Sequence, residues 1–337
     1  MNISDIKEIF IKENKVFFAS IELTQNCNFK CKHCYCGNKD KENLKIDSFK
    51  RVIDKLYDIG CLVISFTGGE IFSYKDFIPL YLYGKEKGFL IDLVTNGSLI
   101  NEEHIKLFKE FPPHNIMITM YGTSKEEYID FTSRDNYDNV IHTLDLLKRN
   151  SFNFAIRTVV TKTLKNSIET FKFEEIAKKY KTVFRYDPII FPEISGERTP
   201  LNERLSPVKI VDLEYNNALR NNAWRKIINE KKDFEWQCRA GINSFAIDFK
   251  GDAHICGIYR DEPISILDND IDIVLRHLKE VHEKHQDIVM NNKCNKCSYR
   301  FMCKWCPAYS TVYNNVIDEP IEYFCELAQE RMRKFGK

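Results

Sequence analysis

A short run of cysteines restricts this chain more than any other feature. Cys27, Cys31 and Cys34 are separated by three and two residues, and they follow an apolar stretch, Val16 to Leu23, that predicts a buried strand. Three thiolates on a cluster of four irons leave one iron without a protein ligand, whereas an electron-transfer cluster normally takes four cysteines. The run therefore predicts a loop at the end of a strand that carries a cluster with one reactive iron.

Two other metal sites would use the same residues. A structural zinc could be held by the three cysteines and His33, but the adjacent residues His33 and Cys34 would then have to bind one tetrahedral ion. A ferredoxin-like electron carrier is disfavoured because bacterial ferredoxin runs have two-residue gaps and end in Cys-Pro. In this chain the first gap has three residues, and the run contains no fourth ligand at the ferredoxin spacing.

Charge and cysteine content narrow the classes of partner. The 337 residues contain 50 Lys and Arg against 49 Asp and Glu, so no net field attracts nucleic acid or an anionic membrane. No window approaches the ~20 apolar residues of a membrane span, and Met1 to Val16 does not resemble a signal peptide. Twelve cysteines in a reducing compartment indicate metal or redox centres rather than disulfides. We therefore expect a cytoplasmic protein that acts on a small molecule or a peptide, with no nucleic-acid or membrane partner.

Short apolar runs alternate with amphipathic segments from residue 16 to about residue 190. This pattern predicts parallel strands joined by helices, and six such units make an α/β fold, a partial (β/α)6 TIM-like barrel. The predicted strands are Phe17 to Leu23, Leu62 to Phe66, Leu90 to Thr95, Asn115 to Met120, Phe154 to Val160 and Thr182 to Arg185. The predicted helices are Phe49 to Ile59 capped by Asp47 or Ser48, Tyr74 to Lys87, and Glu102 to Glu110 opened by Asn101. Parallel barrels have their active sites at the C-terminal ends of the strands, which is where Cys27, Gly68 and Asn96 fall.

Composition divides the chain into four parts. Residues 1–15 form an N-terminal extension, 16–190 the predicted barrel, 191–235 a linker with a bridging helix, and 236–337 a cysteine-rich domain. The last part contains seven of the twelve cysteines, and we expect it to be too loop-rich to carry a large core of its own. Bound metal would supply the missing stability, as it does in small metal-binding domains.

A second motif follows the second predicted strand. In the run Thr67-Gly68-Gly69-Glu70, the paired glycines let the backbone approach a ligand that any Cβ would exclude, although Gly-Gly after a strand is also an ordinary turn. Together with the cysteine run, this motif resembles the radical SAM superfamily, in which S-adenosylmethionine binds the open iron of a 4Fe-4S cluster and is cleaved to a 5'-deoxyadenosyl radical. The resemblance implies that the three cysteines hold the cluster and that Gly68, Gly69 and Glu70 bind the amino group of S-adenosylmethionine.

Other positions match the same family. By this resemblance Asn96 lies near the cofactor, while Thr119 and Arg134 face its ribose and its carboxylate. The residue before the third cysteine is commonly aromatic in the family and lies against the adenosine. Here that residue is His33, a polar ring that can still stack, and a solvated loop histidine is the alternative.

The remaining cysteines form a pattern near the C-terminus. The pattern runs Cys238, Gly251 after twelve residues, Cys256 after four more, Cys294-x2-Cys297-x5-Cys303-x2-Cys306 and Cys325. It resembles the SPASM domain, a seven-cysteine extension of radical SAM enzymes that holds two auxiliary 4Fe-4S clusters. The resemblance implies one set made of Cys294, Cys297, Cys303 and Cys325, and a second set made of Cys238, Cys256 and Cys306, in which one iron would be open. The two-residue gap before Cys306 departs from the family's three, and a zinc ribbon is the alternative.

The resemblance implies an enzyme of the radical SAM oxidoreductase or peptide-modifying type. Most SPASM proteins modify peptides or proteins, so the expected function is maturation of a ribosomally made peptide, for example by a thioether or carbon-carbon crosslink that begins with hydrogen abstraction. A sulfatase-maturing enzyme is an alternative, but that subgroup carries a catalytic Asp after the cysteine that matches Cys256, where this chain has Gly257. Small-metabolite or haem-pathway chemistry, and a non-enzymatic iron-sulfur sensor or electron carrier, also stay open.

The implied partners are a peptide or protein substrate and an electron donor such as flavodoxin or ferredoxin. About fifteen residues precede the first predicted strand, so we expect a leader to bind elsewhere or through a separate leader-binding protein. Cys61 begins an apolar strand and is explained as a buried small hydrophobic residue. Cys36, two residues after the cysteine run, is a candidate hydrogen-atom donor, and an inert loop thiol is the alternative. No other catalytic residue is identified.

Overall fold

The computed structural model describes residues 2–37, 43–230 and 237–336. In these parts of the chain nine strands form one sheet in the order β6-β5-β4-β3-β2-β1-β7-β8-β9. The strands are β1 (Phe18–Thr24), β2 (Val63–Gly68), β3 (Leu90–Thr95), β4 (Asn115–Thr119), β5 (Phe154–Val159), β6 (Val183–Asp187), β7 (Ser244–Ile247), β8 (Asp252–His254) and β9 (Ile264–Ser265). The strands from β6 through β1 to β7 are parallel, whereas β8 and β9 are antiparallel. The predicted α/β class and the six parallel strands are confirmed, with bounds that shift by one or two residues.

Helices connect the parallel strands and continue to the C-terminus. In the described residues they are α1 (Ile3–Lys12), α2 (Ile46–Asp58), α3 (Phe77–Glu86), α4 (Glu102–Glu110), α5 (Lys125–Thr132), α6 (Tyr137–Arg149), α7 (Lys165–Glu169), α8 (Lys172–Tyr180), α9 (Pro207–Asn216), α10 (Ala218–Glu230), α11 (Ile271–Asn291), α12 (Pro307–Asn314) and α13 (Glu322–Phe335). Short 3-10 turns lie at Ile71–Ser73, Thr199–Glu203, Lys293–Lys296 and Arg300–Met302. Helix α2 shows how the sheet is covered: Phe49, Val52, Ile53 and Leu56 recur at helical spacing and are fully buried.

The start of α4 agrees with the prediction, and the start of α3 does not. The Asn101 side chain accepts hydrogen bonds from the backbone amides of Glu103 and His104 at 3.0 and 3.1 Å, which satisfies donors that the first helical turn leaves free. Helix α3 begins at Phe77 rather than at Tyr74, because the chain first makes a separate 3-10 turn after Glu70.

The predicted caps of α2 were wrong. Helix α2 begins at Ile46, its N-cap is Lys45, and no side chain caps it. Asp47 and Ser48 lie inside the first turn, because the Lys45 carbonyl already accepts the backbone amide of Ser48 at 3.0 Å. Asp47 can still stabilise the helix through its negative charge near the N-terminus.

The C-terminal part contains more regular structure than expected, and it shares the core of the barrel rather than having a large core of its own. Helix α11 alone contains 21 residues, and it buries Val274, Leu278 and Val281. Strand β7 pairs with β1 over four residues, so this part of the chain extends the main sheet. Its buried side chains join those of the barrel strands in one continuous hydrophobic core. Packing therefore contributes to the stability of this part together with any bound metal.

Candidate functional site

The N-terminal cysteine loop leaves the C-terminal end of β1. Its backbone is tied to the end of α5, because the amides of Lys30 and Lys32 donate to the carbonyls of Thr132 and Phe131 at 2.9 and 3.1 Å. All three predicted ligand cysteines influence the pKa of Tyr121, which lies just beyond β4. The pKa of Tyr121 lies well above its ordinary value because the ring is buried, and the sulfurs of this loop raise it further. The three sulfurs therefore lie near one buried side chain at the C-terminal end of the parallel strands.

The backbone of this loop packs directly against the backbone of Gly68 and Gly69. A Cβ at Gly68, where φ is +127°, would lie 2.3 Å from the Thr24 carbonyl oxygen, and one at Gly69 would lie 2.3 Å from that of Asn26. Two hydrogen bonds use the same approach, from the Gly69 amide to Thr24 at 2.7 Å and from the Glu70 amide to Asn26 at 2.8 Å. The segment that leads into Cys27 could therefore not pack this closely if either glycine had a Cβ.

Glu70 connects the ends of β2 and β3. Its fully buried carboxylate accepts the Thr95 hydroxyl at 2.6 Å, the Asn96 amide at 2.8 Å and the Phe72 amide at 3.2 Å. Burial raises the pKa of Glu70, although these hydrogen bonds act in the opposite direction. In this arrangement the carboxylate braces the loops around the cysteines, and a contact between Glu70 and S-adenosylmethionine stays a prediction.

Asn96 and Arg134 both contact the cysteine loop. The side-chain nitrogen of Asn96, Nδ2, donates to Asn28 Oδ1 at 2.9 Å and lies 3.8 Å from Cys27 Sγ. Arg134 is exposed and donates from Nε to the Asn28 carbonyl at 3.2 Å. These two predicted cofactor residues are thus brought together at Asn28.

Thr119 lies beside a residue that the sequence analysis missed. Its hydroxyl accepts a hydrogen bond from Arg157 Nε at 3.0 Å across the β4–β5 pair. The charge of Arg157 also lowers the pKa of the His33 ring. An arginine inside the otherwise uncharged strand β5 was the signal that could have marked this position.

The His33 ring packs against aromatic side chains beside the N-terminal cysteine loop. Its ring centroid lies 5.1 Å from that of Phe131 and 5.6 Å from that of Tyr121. Burial, together with the charge of Arg157, lowers the pKa of His33 to about 4, so the ring is neutral at neutral pH. Its Nδ1 is buried and has no hydrogen-bond partner among the described residues. The environment suits ring stacking better than a solvated loop histidine.

The C-terminal cysteines form two groups in space. Cys294 has its pKa raised to about 11, mainly by burial and further by the neighbouring cysteine sulfurs. The cysteines that raise this pKa are Cys303, Cys325 and Cys297. The Cys303 thiol contacts the chain next to Cys325, because it donates to the Phe324 carbonyl at 3.8 Å. These four cysteines are the members of the first set named from the sequence.

The second group surrounds Cys306. Burial raises the pKa of the Cys306 thiol, and the Cys256 and Cys238 sulfurs raise it further. The sulfurs of each predicted set are thus close enough to influence a common side chain, and their ligation of iron-sulfur clusters stays a prediction. Among the residues that the structure describes, no three His, Cys, Asp or Glu side chains converge closely enough to ligate a single metal ion. Ligands of a cubane bind different irons and stand farther apart than ligands of one ion.

A cavity of about 1040 Å³ lies beside the N-terminal cysteine loop. Its wall includes Glu22 and Gln25 from the end of β1, Cys36, and parts of the segments 193–199 and 248–263. The linker segment is held against the loop because the Ile194 amide donates to the Tyr35 carbonyl at 2.8 Å. The cavity wall thus combines Cys36, next to the N-terminal cysteine loop, with parts of the segment 248–263, in which Cys256 lies.

Two buried acid-base pairs line this cavity, and the sequence analysis missed both. Arg260 donates a hydrogen bond to the Glu22 carboxylate, and burial still leaves the pKa of Glu22 raised. His254 Nε2 lies 3.2 Å from Asp248 Oδ2. Burial raises the pKa of Asp248, but hydrogen bonds from His254 and two backbone amides outweigh it and lower the pKa overall. Glu22 and Arg260 are 238 positions apart, so no local motif marks their pair. Asp248 and His254 are six positions apart at the β7–β8 hairpin.

Comparison with known proteins agrees with this geometry. Residues 21–173 match the family described as "Radical SAM superfamily". The chain is 26% identical over 182 residues to the "AdoMet-dependent heme synthase" of Methanosarcina barkeri, with 53% of this chain and 52% of that protein aligned. It is 33% identical over 119 residues to the "Antilisterial bacteriocin subtilosin biosynthesis protein AlbA" of Bacillus subtilis, with 34% of this chain and 27% of that protein aligned. The chain thus spans about half or less of the length of these relatives.

The fold is also similar to that of a solved structure. Streptococcus suis SuiB "bound to precursor peptide SuiA" superposes with a TM-score of 0.71 at 17% identity, over 95% of this chain and 78% of that chain. A second structure of SuiB is bound to S-adenosylmethionine, with a TM-score of 0.67 at 16% identity over 89% of this chain and 76% of that chain. This likeness confirms the TIM-like partial barrel followed by a cysteine-rich C-terminal region. In the described part of the chain, no helix combines the length and the apolar content that crossing a membrane requires.

Proposed function

We propose that the chain is a radical SAM enzyme with SPASM-type features and that it modifies a peptide substrate by hydrogen abstraction. S-adenosylmethionine and 4Fe-4S clusters are its cofactors, and when bound they supply a 5'-deoxyadenosyl radical. We assign the N-terminal cluster to Cys27, Cys31 and Cys34, whose thiols lie together around Tyr121. The two groups of C-terminal cysteines hold the auxiliary clusters in this proposal.

Residues around the N-terminal loop would bind and orient the cofactor. The backbone at Gly68 and Gly69 presents the loop that holds Cys27, and Glu70 keeps the ends of β2 and β3 together. We assign the adenosine contact to the neutral His33 ring. Asn96 and Arg134 hydrogen-bond to Asn28 of the same loop. Thr119 would face the ribose of S-adenosylmethionine and Arg134 its carboxylate, with Asn96 near the cofactor.

The large cavity is the single observation that carries the peptide assignment. Most of its lining side chains are charged or polar, which suits the amides and polar side chains of a peptide segment. Ligand sites are usually concave and within about 300–1,000 Å³, so this cavity can hold several residues. Cys36 lies in the cavity wall, where it could donate a hydrogen atom to a substrate radical. The relative AlbA, named for biosynthesis of the bacteriocin subtilosin, supports the same class of substrate.

A haem-pathway substrate is the second candidate. It is favoured by the relative named an AdoMet-dependent heme synthase, which aligns with about half of this chain. A porphyrin-like ring is flat and largely apolar, however, and it would need apolar walls that this cavity does not offer. Among the described residues, the apolar side chains in the cavity wall are Ile194, Phe249 and Pro263. The lining therefore favours the peptide over the tetrapyrrole.

We also propose a cytoplasmic location and two kinds of partner. All twelve cysteines are free of disulfides, as in proteins of reducing compartments. Reduction of the N-terminal cluster requires an electron donor such as flavodoxin or ferredoxin. A separate leader-binding protein would present the peptide to the cavity. The four parts with boundaries near residues 16, 190 and 236 stay our proposal for the domain organisation.

Metal content tests the cofactor assignment first. After anaerobic reconstitution we expect about twelve irons per chain, because ten cysteines form one three-ligand set and two further sets. Iron near four per chain, or zinc in place of iron, would contradict the SPASM assignment. The measurement needs no substrate.

Mass spectrometry then tests the substrate class. The enzyme is co-produced anaerobically with short peptides encoded beside its gene, and each peptide is compared with the same peptide made alone. A crosslinked product has lost two hydrogens, and tandem spectra locate the new bond. Parallel assays with a haem-pathway tetrapyrrole measure decarboxylation. Loss of a carboxyl group from the tetrapyrrole, with every peptide unchanged, would replace the peptide assignment by the haem-pathway one.

A further inference from the structure

Arg300 is a buried cation inside the C-terminal cysteine loop. The residue is only 4% exposed, although arginine normally keeps its guanidinium in water. Its backbone amide donates to the Cys297 carbonyl at 3.0 Å, and its carbonyl accepts the Cys303 amide at 3.1 Å. These bonds tie the Arg300 backbone to those of two cysteines of one set.

The guanidinium lies against the loop that connects the two cysteine sets. Its carbon is 5.5 Å from the centroid of the Trp305 ring, and Trp305 stands between Cys303 and Cys306 in the chain. The Trp305 amide donates to Cys303 Sγ at 3.4 Å, so the ring and this sulfur are held together. Three sulfurs favour the charged form of the guanidinium, those of Cys303, Cys294 and Cys306. One cation is thus close to members of both sets.

Cysteines bind iron as thiolates, so a loaded cluster with its ligands is an anion. A buried charge is costly unless an opposite charge lies nearby. The anion and the guanidinium would therefore stabilise each other in this interior. Reduction adds one more negative charge to a cluster, and an adjacent cation stabilises the reduced form.

We propose that Arg300 is the countercharge of the auxiliary clusters and raises the reduction potential of both. The proposal rests on the ligand sets given under the proposed function. Arg300 acts through the clusters and is a positioning residue. A raised potential makes this end of the molecule the better acceptor of an electron.

Lys296 provides the matched control. It lies in the same loop, between Cys294 and Cys297, and it is exposed. Loss of its charge changes the net charge of the loop as much as loss of the Arg300 charge does. Water and salt screen an exposed charge, whereas a buried one acts at a low effective dielectric constant. Only the buried cation should matter strongly for the clusters.

The experiment uses the full chain with Cys27, Cys31 and Cys34 replaced by Ala, so that only auxiliary clusters give signals. Reconstituted protein is titrated with dithionite and followed by electron paramagnetic resonance. For Arg300→Gln, we expect the ratio of reduced to oxidised cluster at one fixed potential to fall about tenfold, which is about 59 mV for one electron. Arg300→Lys and Lys296→Met should stay within about threefold of the parent.

Two results would overturn the proposal. Either Arg300→Gln leaves the ratio unchanged, or Lys296→Met lowers it as much as Arg300→Gln does. If Arg300→Gln fails to assemble clusters, Arg300→His decides: its potential should fall as pH rises through the histidine pKa, and a potential independent of pH contradicts the proposal. A parent that binds no auxiliary cluster would instead refute the ligand sets, so the two failures are distinguishable.

Discussion

The two cysteine regions are held by different kinds of contact. The N-terminal loop is held by backbone groups, since the carbonyls of Thr24 and Asn26 lie against the bare Cα atoms of Gly68 and Gly69. The C-terminal loop is held by buried side chains. Arg331 donates to the carbonyl of Met302, next to Cys303, at 2.9 Å.

A buried ion pair completes the C-terminal support. Arg331 Nε and its second terminal nitrogen each donate to a different oxygen of Glu214 at 2.8 Å. These residues are 117 positions apart, on α13 and α9, and both are almost completely buried. The comparison shows that backbone support leaves a short motif in the sequence, whereas side-chain support between distant helices leaves none.

The first prediction separates the two regions by their chemistry. Replacing Cys27, Cys31 and Cys34 together by Ala should abolish 5'-deoxyadenosine formation with dithionite, because one site supplies the radical chemistry. Mössbauer spectra should still show the auxiliary clusters. In contrast, Cys238→Ala should keep measurable cleavage of S-adenosylmethionine and lose the modified product. Cleavage at the wild-type rate in the triple variant would refute the assignment of the N-terminal loop.

The second prediction tests the ion pair under the C-terminal loop. Arg331→Met should lower the free energy of unfolding by about 3 kcal/mol, because the buried Glu214 carboxylate loses both 2.8 Å hydrogen bonds and keeps only the 4.0 Å contact to Arg220. The double variant Glu214→Met with Arg331→Met should recover most of this loss. Urea unfolding of the three proteins measures both effects. Equal instability in the single and double variants would mean that packing, and not charge, is responsible.

The third prediction tests the backbone support of the N-terminal loop. Gly69→Ala should destabilise the protein by about 2 kcal/mol or more and lower iron binding at Cys27, since the new Cβ would meet two backbone carbonyls. Gly257→Ala is the control in the other region, because a Cβ there would have no neighbour within 4 Å. Similar unfolding curves for the two variants would contradict the proposed support.

The fourth prediction concerns pH and the His285 ring on α11. Burial lowers the pKa of His285 to about 4, and the ring packs 4.4 Å from that of Tyr259. Unfolded histidine titrates near pH 6.5, so below this value the unfolded chain binds more protons than the folded one. His285 should therefore cost about 2 kcal/mol of stability as pH falls from about 7 to about 5. His285→Gln should lose this part of the pH dependence, and an unchanged difference between the two pH values would contradict it.

The smallest expected effect lies inside the N-terminal loop. Lys32 forms an exposed ion pair with Asp130 at 2.7 Å, and such pairs contribute about 0.2–1 kcal/mol. Lys32→Met should therefore change the free energy of unfolding by less than about 1 kcal/mol and leave the iron content unchanged. A larger loss, measured by urea unfolding and iron analysis, would mean that a side chain also supports this loop.

Much of the fold could be predicted because its signals are local. Apolar runs and their spacing located the six parallel strands, and Asn101 marked the start of α4 through the hydrogen bonds of its own side chain. The start of α2 was missed because Lys45 caps it without a side-chain bond. The C-terminal core was missed because its apolar residues are buried against partners that lie far away in the chain.

The sequence by itself marked the N-terminal cysteine run and the paired glycines, because metal ligands and close backbone contacts demand particular residue types at particular positions, whereas the two C-terminal sets were implied by the resemblance to the SPASM domain. The tertiary structure alone decided that Glu70 braces two strand ends, that Glu22 meets Arg260 in a cavity, and that Arg331 meets Glu214. Residues of these kinds occur throughout the chain, and their roles depend on which distant segments pack together. Close packing, rather than any motif, selects those partners.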